Sequence, residues 1–225
     1  MGTHSFKERD QVKRIDRDEK DTIFDPGMRT FFILAVIAAI YYLALWTAYY
    51  TFKIRLNFVS MSPLMWHAHE MIFGYSVAII AGFLLTIERY WSGLVINKKS
   101  VLILLLSLWI LARVFLSLTL VTDIPYIYGA VFDCLFVILL TFRVLYPVIK
   151  SRSREKIALV AHLSIIAASN VLFYLGVAGV LANGQRWGIY SALYIVISII
   201  VLMGRRMIPI FIRNGLNFTF EPKTG

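Results

Sequence analysis

The sequence is poor in the residues from which soluble chemistry is usually built. It has one cysteine, Cys134, in 225 residues, so no internal disulfide can form. It has no Cys-x-x-Cys-His stretch, which excludes covalently attached c-type haem. It has four histidines, one of them, His4, in a polar amino-terminal segment. That is too few for a haem–copper oxidase core, and no histidine follows His67 or His69 at the spacing of a paired-histidine haem bundle. Charged residues make up 16% of the chain, against about 25% in an average soluble domain. There is no phosphate-cradling P-loop, no His-Glu-x-x-His and no glycine-rich dinucleotide fingerprint. These absences exclude a coiled coil and an ordinary soluble enzyme domain.

What is abundant is apolar: 59% of residues, with a mean hydropathy of +0.73. The excess is gathered into runs of about 20 residues, long enough to cross a hydrocarbon core of about 30 Å. In lipid such runs form helices, because every backbone polar group must be satisfied within the segment. The predicted fold is therefore all-α, a polytopic bundle of about six transmembrane helices. The spans fall at roughly Thr30–Thr51, Pro63–Ile87, Val101–Val121, Pro125–Pro147, Ile157–Ala182 and Trp187–Met203. The transmembrane domain covers 30–215, with tails at 1–29 and 216–225. The first tail carries seven cations and seven anions and reads as a solvated, disordered segment. It does not read as a signal peptide, so the first span is expected to act as an uncleaved anchor.

The net charge of +10 points to topology rather than to nucleic acid, because the cations flank apolar spans. Eighteen lysines and arginines fall on the side of the two termini, and three, Lys53, Arg55 and Arg186, on the other. By the positive-inside rule both termini face the cytoplasm, and the basic loops meet anionic lipid headgroups.

Ionisable groups within a membrane are costly, which makes them the place to look for function. The strongest feature is Met61-Ser-Pro-Leu-Met-Trp-His-Ala-His-Glu-Met71. Ser62 followed by Pro63 is a helix start. His67, Glu70, Met71, Gly74, Ala78 and Gly82 then share one helical face. Gly74, Ala78 and Gly82 form a small-residue stripe for a neighbouring helix. His67 and Glu70 are expected to point into the bundle, and His69 the opposite way unless the helix is distorted. Imidazole suits haem iron and copper, and thioether suits Cu(I), so His67, His69, Glu70 and Met71 are candidate metal ligands. The other reading is a pair of interfacial polar residues beside Trp66.

Arg113 and Asp133 lie eight residues in from the facing ends of consecutive spans, at a matched depth of about 12 Å. An Arg113–Asp133 ion pair follows. It acts as a structural clasp, or it orients Arg113 toward an anionic group such as a haem propionate. His162, about one turn inside the fifth span, marks a possible second site or a polar residue at the interface.

Trp66-His-Ala-His-Glu-Met-Ile-Phe-Gly74, running into Ala81-Gly-Phe-Leu-Leu-Thr86, resembles the signature of the NnrS family. Gly204-Arg-Arg-Met-Ile-Pro-Ile-Phe-Ile-Arg-Asn-Gly215 and Arg29-Thr-Phe-Phe32 support the resemblance. It implies a polytopic protein of the bacterial inner membrane that contains haem and copper and acts in nitric-oxide stress, and it favours the metal reading of His67 and His69. The family is about twice as long, so the chain resembles an amino-terminal half. That implies a second half-protein or a homodimer partner. Two rival readings remain. One is a half-transporter whose His67, Glu70, Arg113 and Asp133 line a proton or solute path. The other is a half that is inactive alone.

The topology is tested by placing single cysteines in the 53–62 loop of a Cys134→Ser background. Impermeant maleimide is expected to label them from outside the cell; labelling only in inside-out vesicles would invert the orientation.

Overall fold

A computed structural model describes residues 26–92, 99–151 and 154–216. Regular structure among the described residues is helical throughout. Helix α1 is Pro26–Phe52. Helix α2 is one continuous run made of an α-helical start Pro63–His69, a π-helical segment Glu70–Ser76 and an α-helical remainder Val77–Ser92. Helices α3 (Lys99–Leu118), α4 (Ile127–Ser151), α5 (Arg154–Val177) and α6 (Gly184–Leu216) follow. All six are long and apolar enough to cross a membrane. The tails expected at 1–29 and 216–225 lie almost wholly outside the described residues; within them, Pro26–Arg29 and Leu216 are helical.

The chain begins α2 as its residues dictate. The Ser62 hydroxyl accepts from the Met65 N–H at 3.3 Å, and Pro63 occupies the first turn, where its missing N–H costs nothing. At the other ends the helices differ from their predicted limits. Helix α3 stops at Leu118, three residues before the predicted Val121, and the Leu120 carbonyl instead accepts from the Asn57 N–H at 2.8 Å. This ties the 53–62 loop to the end of α3. Helix α5 stops at Val177 rather than Ala182, because the chain reverses there through Gly179, whose φ of 76° is open to glycine. Helix α6 runs past the predicted Met203 to Leu216, through Pro209. Proline removes one helical hydrogen bond, which long membrane helices tolerate.

Helix α2 is the centre of the bundle. Two-thirds of its membrane window, 67%, is buried, against 22–44% for the other five. It packs on α1, α4 and α6, while α3 pairs with α4, α4 with α5, and α5 with α6. The α5–α6 hairpin is the tightest joint. A Cβ built on Gly176 would lie 2.1 Å from the Gln185 backbone nitrogen, and one on Gly188 would lie 2.6 Å from the Ser169 carbonyl oxygen. Gly176→Ala would push backbone against backbone, at the upper end of the usual overpacking cost of about 1–3 kcal/mol. For a chain of this size each kcal/mol is about 2–4 °C in melting midpoint. Thermal unfolding in detergent is therefore expected to show a drop of about 4 °C or more.

Candidate functional site

The ionisable residues of the spans meet at the π-helical segment of α2. Glu70 opens that segment and is fully buried, as is Asp133 of α4; His69 is 2% exposed and Arg113 of α3 is 6% exposed. The Arg113 guanidinium joins the two carboxylates. One terminal nitrogen, Nη1, donates to Glu70 Oε2 at 2.5 Å, and the other, Nη2, donates to Asp133 Oδ1. A buried charge must be paired and hydrogen-bonded to be kept in a low-dielectric interior. Here one cation is shared between two anions.

Asp133 is the hub. Its second oxygen, Oδ2, accepts from the Asn170 amide at 2.9 Å and from the Tyr174 hydroxyl at 3.1 Å, both on α5. Asn170 and Tyr174 are four apart and so share a face. The amide donation fixes the Asn170 side chain, leaving its Oδ1 to face His69 Nε2 at 3.2 Å. Asp133 Oδ2 lies 3.3 Å from the same ring nitrogen. On the other side of the ring, Nδ1 faces Glu70 Oε1 at 3.2 Å. Both nitrogens of His69 therefore meet acceptors. Only the doubly protonated imidazole donates at both, and in that form the cluster holds two positive and two negative charges. The surrounding rings suit a cation: His69 stacks on Phe173 at 4.5 Å and lies near Phe73 and Tyr174.

The expectation that His69 faces away from the site is corrected by the structure. A helix at the centre of a bundle has no outside, and His69 points toward α4 and α5 while Glu70 points toward α3. The π-helical turn that starts at Glu70 is the local distortion; such turns are frequent at functional sites. Gly74, read from the sequence as part of a helix-packing stripe, has another task. A Cβ there would lie 2.7 Å from Arg113 Nη1 and 3.0 Å from Glu70 Oε2, so the missing side chain is the space that Arg113 fills. The Gly74 carbonyl also accepts from Trp109 Nε1 of α3 at 3.0 Å. The stripe does act as a helix contact at Gly82, whose Cβ would lie 3.0 Å from Phe31 Cβ of α1.

His67 stands apart from this network. It is half-buried, its ring stacks on Trp46 of α1 at 4.3 Å, and its Nδ1 is buried without a hydrogen-bond partner. Met71 is likewise half-buried and packs against the apolar core. His162 joins α5 to α6: Nδ1 donates to the Ala158 carbonyl at 2.6 Å, which leaves Nε2 to accept from the Ser198 hydroxyl at 2.8 Å. Among the described residues no group of three or more His, Cys, Asp or Glu is arranged to hold a metal ion. Against haem or copper, then, the donors divide. His67 has a free buried nitrogen that fits a metal. His69, Glu70 and Arg113 are committed to one another and to Asp133, and would have to give up those bonds to serve as ligands or to meet a propionate.

Sequence reasoning missed Tyr42, which stands against Glu70 and Ser117, and Tyr174. It also gave Asn170 no role. The four-residue spacing of Asn170 and Tyr174 was the available signal.

Compared with known proteins, residues 22–225 match a family model described as NnrS protein. No curated protein and no solved structure matches the chain.

Removing one member of a buried ion network leaves an uncompensated charge, at about 3–5 kcal/mol. Asp133→Asn and Gly74→Ala are both expected to lower the thermal midpoint in detergent, the first by about 6 °C or more. Unchanged unfolding of Asp133→Asn would show that the cluster carries little of the fold.

Proposed function

The chain belongs to the NnrS family, and on that premise we propose that it is an integral protein of the bacterial inner membrane that binds haem, copper or both and acts in the response to nitric oxide. The observation that carries this reading is His67. Its ring nitrogen is buried and unpaired, an arrangement that costs about 1–3 kcal/mol unless something accepts or supplies a bond there. It lies in the segment with the strongest family resemblance.

His67 would hold the metal, with Met71, four residues on, as the soft donor. Imidazole serves haem iron and copper alike, and thioether favours Cu(I). A metal bound there would supply a redox-active centre at which nitric oxide can ligate. The chain's own residues do the rest. Trp46 stacks on the His67 ring and fixes its plane. The Arg113–Glu70–Asp133–His69 cluster locks the turn of α2 that follows His67, so the ligand sits on a rigid element. Asp133 holds Arg113 through one oxygen and Asn170 and Tyr174 through the other, which keeps α3, α4 and α5 in register with α2. We also propose a second half-protein or a second copy of the chain as its partner.

A second reading is favoured by the same cluster. Glu70, Arg113, Asp133 and Tyr174 form a connected series of hydrogen-bonding groups inside the bundle, with Tyr42 beside Glu70. Such a series is the material of a proton path in a membrane carrier.

The test is to express the full chain in a bacterial membrane, purify it in mild detergent, and measure iron, copper and the reduced-minus-oxidised visible spectrum. The expected result is a haem band or stoichiometric copper that is lost in His67→Ala and kept in His162→Ala. A folded, monodisperse protein with neither metal would overturn the cofactor reading. Proton flux in liposomes that is abolished by Glu70→Gln would then favour the second.

A further inference from the structure

Helices α1 and α3 do not lie flush. Between them runs a groove of about 530 Å³ whose walls extend from Leu34 to Leu45 on α1 and from Trp109 to Leu118 on α3. At about 1.5 Å per residue those walls are about 14–17 Å long, half of a hydrocarbon core of about 30 Å. The groove is thus one leaflet deep. Its lining is apolar along most of that length, with Tyr41, Tyr42, Arg113 and Ser117 among the polar groups along it. Ile37 and Val114 on its flanks are 57% and 47% exposed, so the groove opens sideways, toward lipid.

Its mouth is different. Leu56, one wall of the groove, is also a wall of a second concavity of about 590 Å³ formed by Tyr49, Tyr50, Lys53, Ile54 and Arg55. Lys53 is the first residue after α1 and holds a φ of 52°, a left-handed conformation that a lysine seldom adopts. This reversal sets Lys53 and Arg55 together in the lining of the second concavity, which adjoins the groove at Leu56. Both are exposed, and neither pairs with a carboxylate among the described residues. They are two of the three cations predicted for that side of the membrane. Tyrosines at this level are the usual interfacial anchors.

We propose that the cup and the groove together hold one anionic phospholipid of the leaflet on the side of the 53–62 loop. Its phosphate sits between Lys53 and Arg55, and one acyl chain lies between α1 and α3, passing Tyr42 and Arg113, with its end toward Leu34 and Trp109. Three observations select this occupant. The cations call for net negative charge, which a zwitterionic lipid cancels within its own headgroup. The groove has the length of one acyl chain in one leaflet. The two concavities share Leu56 as a wall. A neighbouring transmembrane helix would cover the groove without needing the cup. The bound chain would also seal the flank of the bundle along which Arg113 lies. This site does not depend on the cofactor reading.

The test uses the full chain, extracted in mild detergent and exchanged into nanodiscs of phosphatidylcholine containing a minor fraction of phosphatidylglycerol. Retained lipid is then counted by native mass spectrometry. One phosphatidylglycerol per chain is expected. A cation near an anionic lipid is worth about fivefold in binding, so Lys53→Gln/Arg55→Gln should lower retention by about thirtyfold, and Lys53→Arg should preserve it. Ile37→Trp, which fills the groove from its exposed flank, should reduce retention while circular dichroism stays unchanged. Equal retention of phosphatidylcholine, or full retention by the double glutamine variant, would overturn the proposal. So would a lipid-free dimer whose cross-links run between the α1–α3 grooves of two copies.

Discussion

The pairing of Arg113 with Glu70 and Asp133 is the constraint on which the bundle depends. Three charges and an imidazole lie almost wholly out of water, inside a fold that itself belongs in lipid. None can be left alone, so the helices that carry them must converge: α2 with Glu70 and His69, α3 with Arg113, α4 with Asp133. Helix α5 is drawn in by Asn170 and Tyr174, which satisfy the remaining oxygen of Asp133. Apolar packing alone would allow these helices to slide and rotate, because lipid tails are as apolar as leucine and give helices little reason to prefer one another. The hydrogen-bonded charges fix depth and rotation together.

The same constraint accounts for the irregular features. A π-helical segment is a costly shape that persists where something rewards it, and here it begins at Glu70, the residue that Arg113 holds. Gly74 lies one turn further on, and the space of its absent side chain is taken by the guanidinium. Trp109 closes the seam by donating to the Gly74 carbonyl. A π-helical turn, an absent side chain and a tryptophan hydrogen bond are thus three consequences of seating one arginine.

The sequence made the architecture legible because membrane thickness sets span length. The six helices could be counted, and Pro63 with Ser62 marked the start of α2 to the residue. Depth was legible too: Arg113 and Asp133 sit equally far from the predicted facing helix ends, and they bond. Rotation was not. It was inferred for an ideal α-helix with an inside and an outside, whereas α2 has neighbours all round and changes its turn at Glu70. That is why His69 was expected to face away and Gly74 was assigned to a helix contact. Helix ends in the loops were legible only where a residue fixes them. Nothing in the run after Val177 marked the early end of α5 except Gly179, and Pro209 did not end α6. The free nitrogen of His67 could not be seen in the sequence at all, since it is defined by the absence of a partner in three dimensions.

The order in which the cluster's members leave the ribosome has its own consequence. Glu70 and its cation are 43 residues apart in the chain, Arg113 and Asp133 are 20 apart, and His69 meets Asn170 across 101. At a synthesis rate of about 5–20 residues per second, Glu70 waits about 2–9 s for Arg113 to emerge, and His69 waits longer for Asn170. Through that interval the second helix made carries a carboxylate without its counter-ion, which is unwelcome in open lipid. The helix that ends at the centre of the bundle is therefore the one least able to leave the insertion machinery on its own. Holding it there until α3 and α4 arrive would spare Glu70 open lipid, and the bundle would then close around α2.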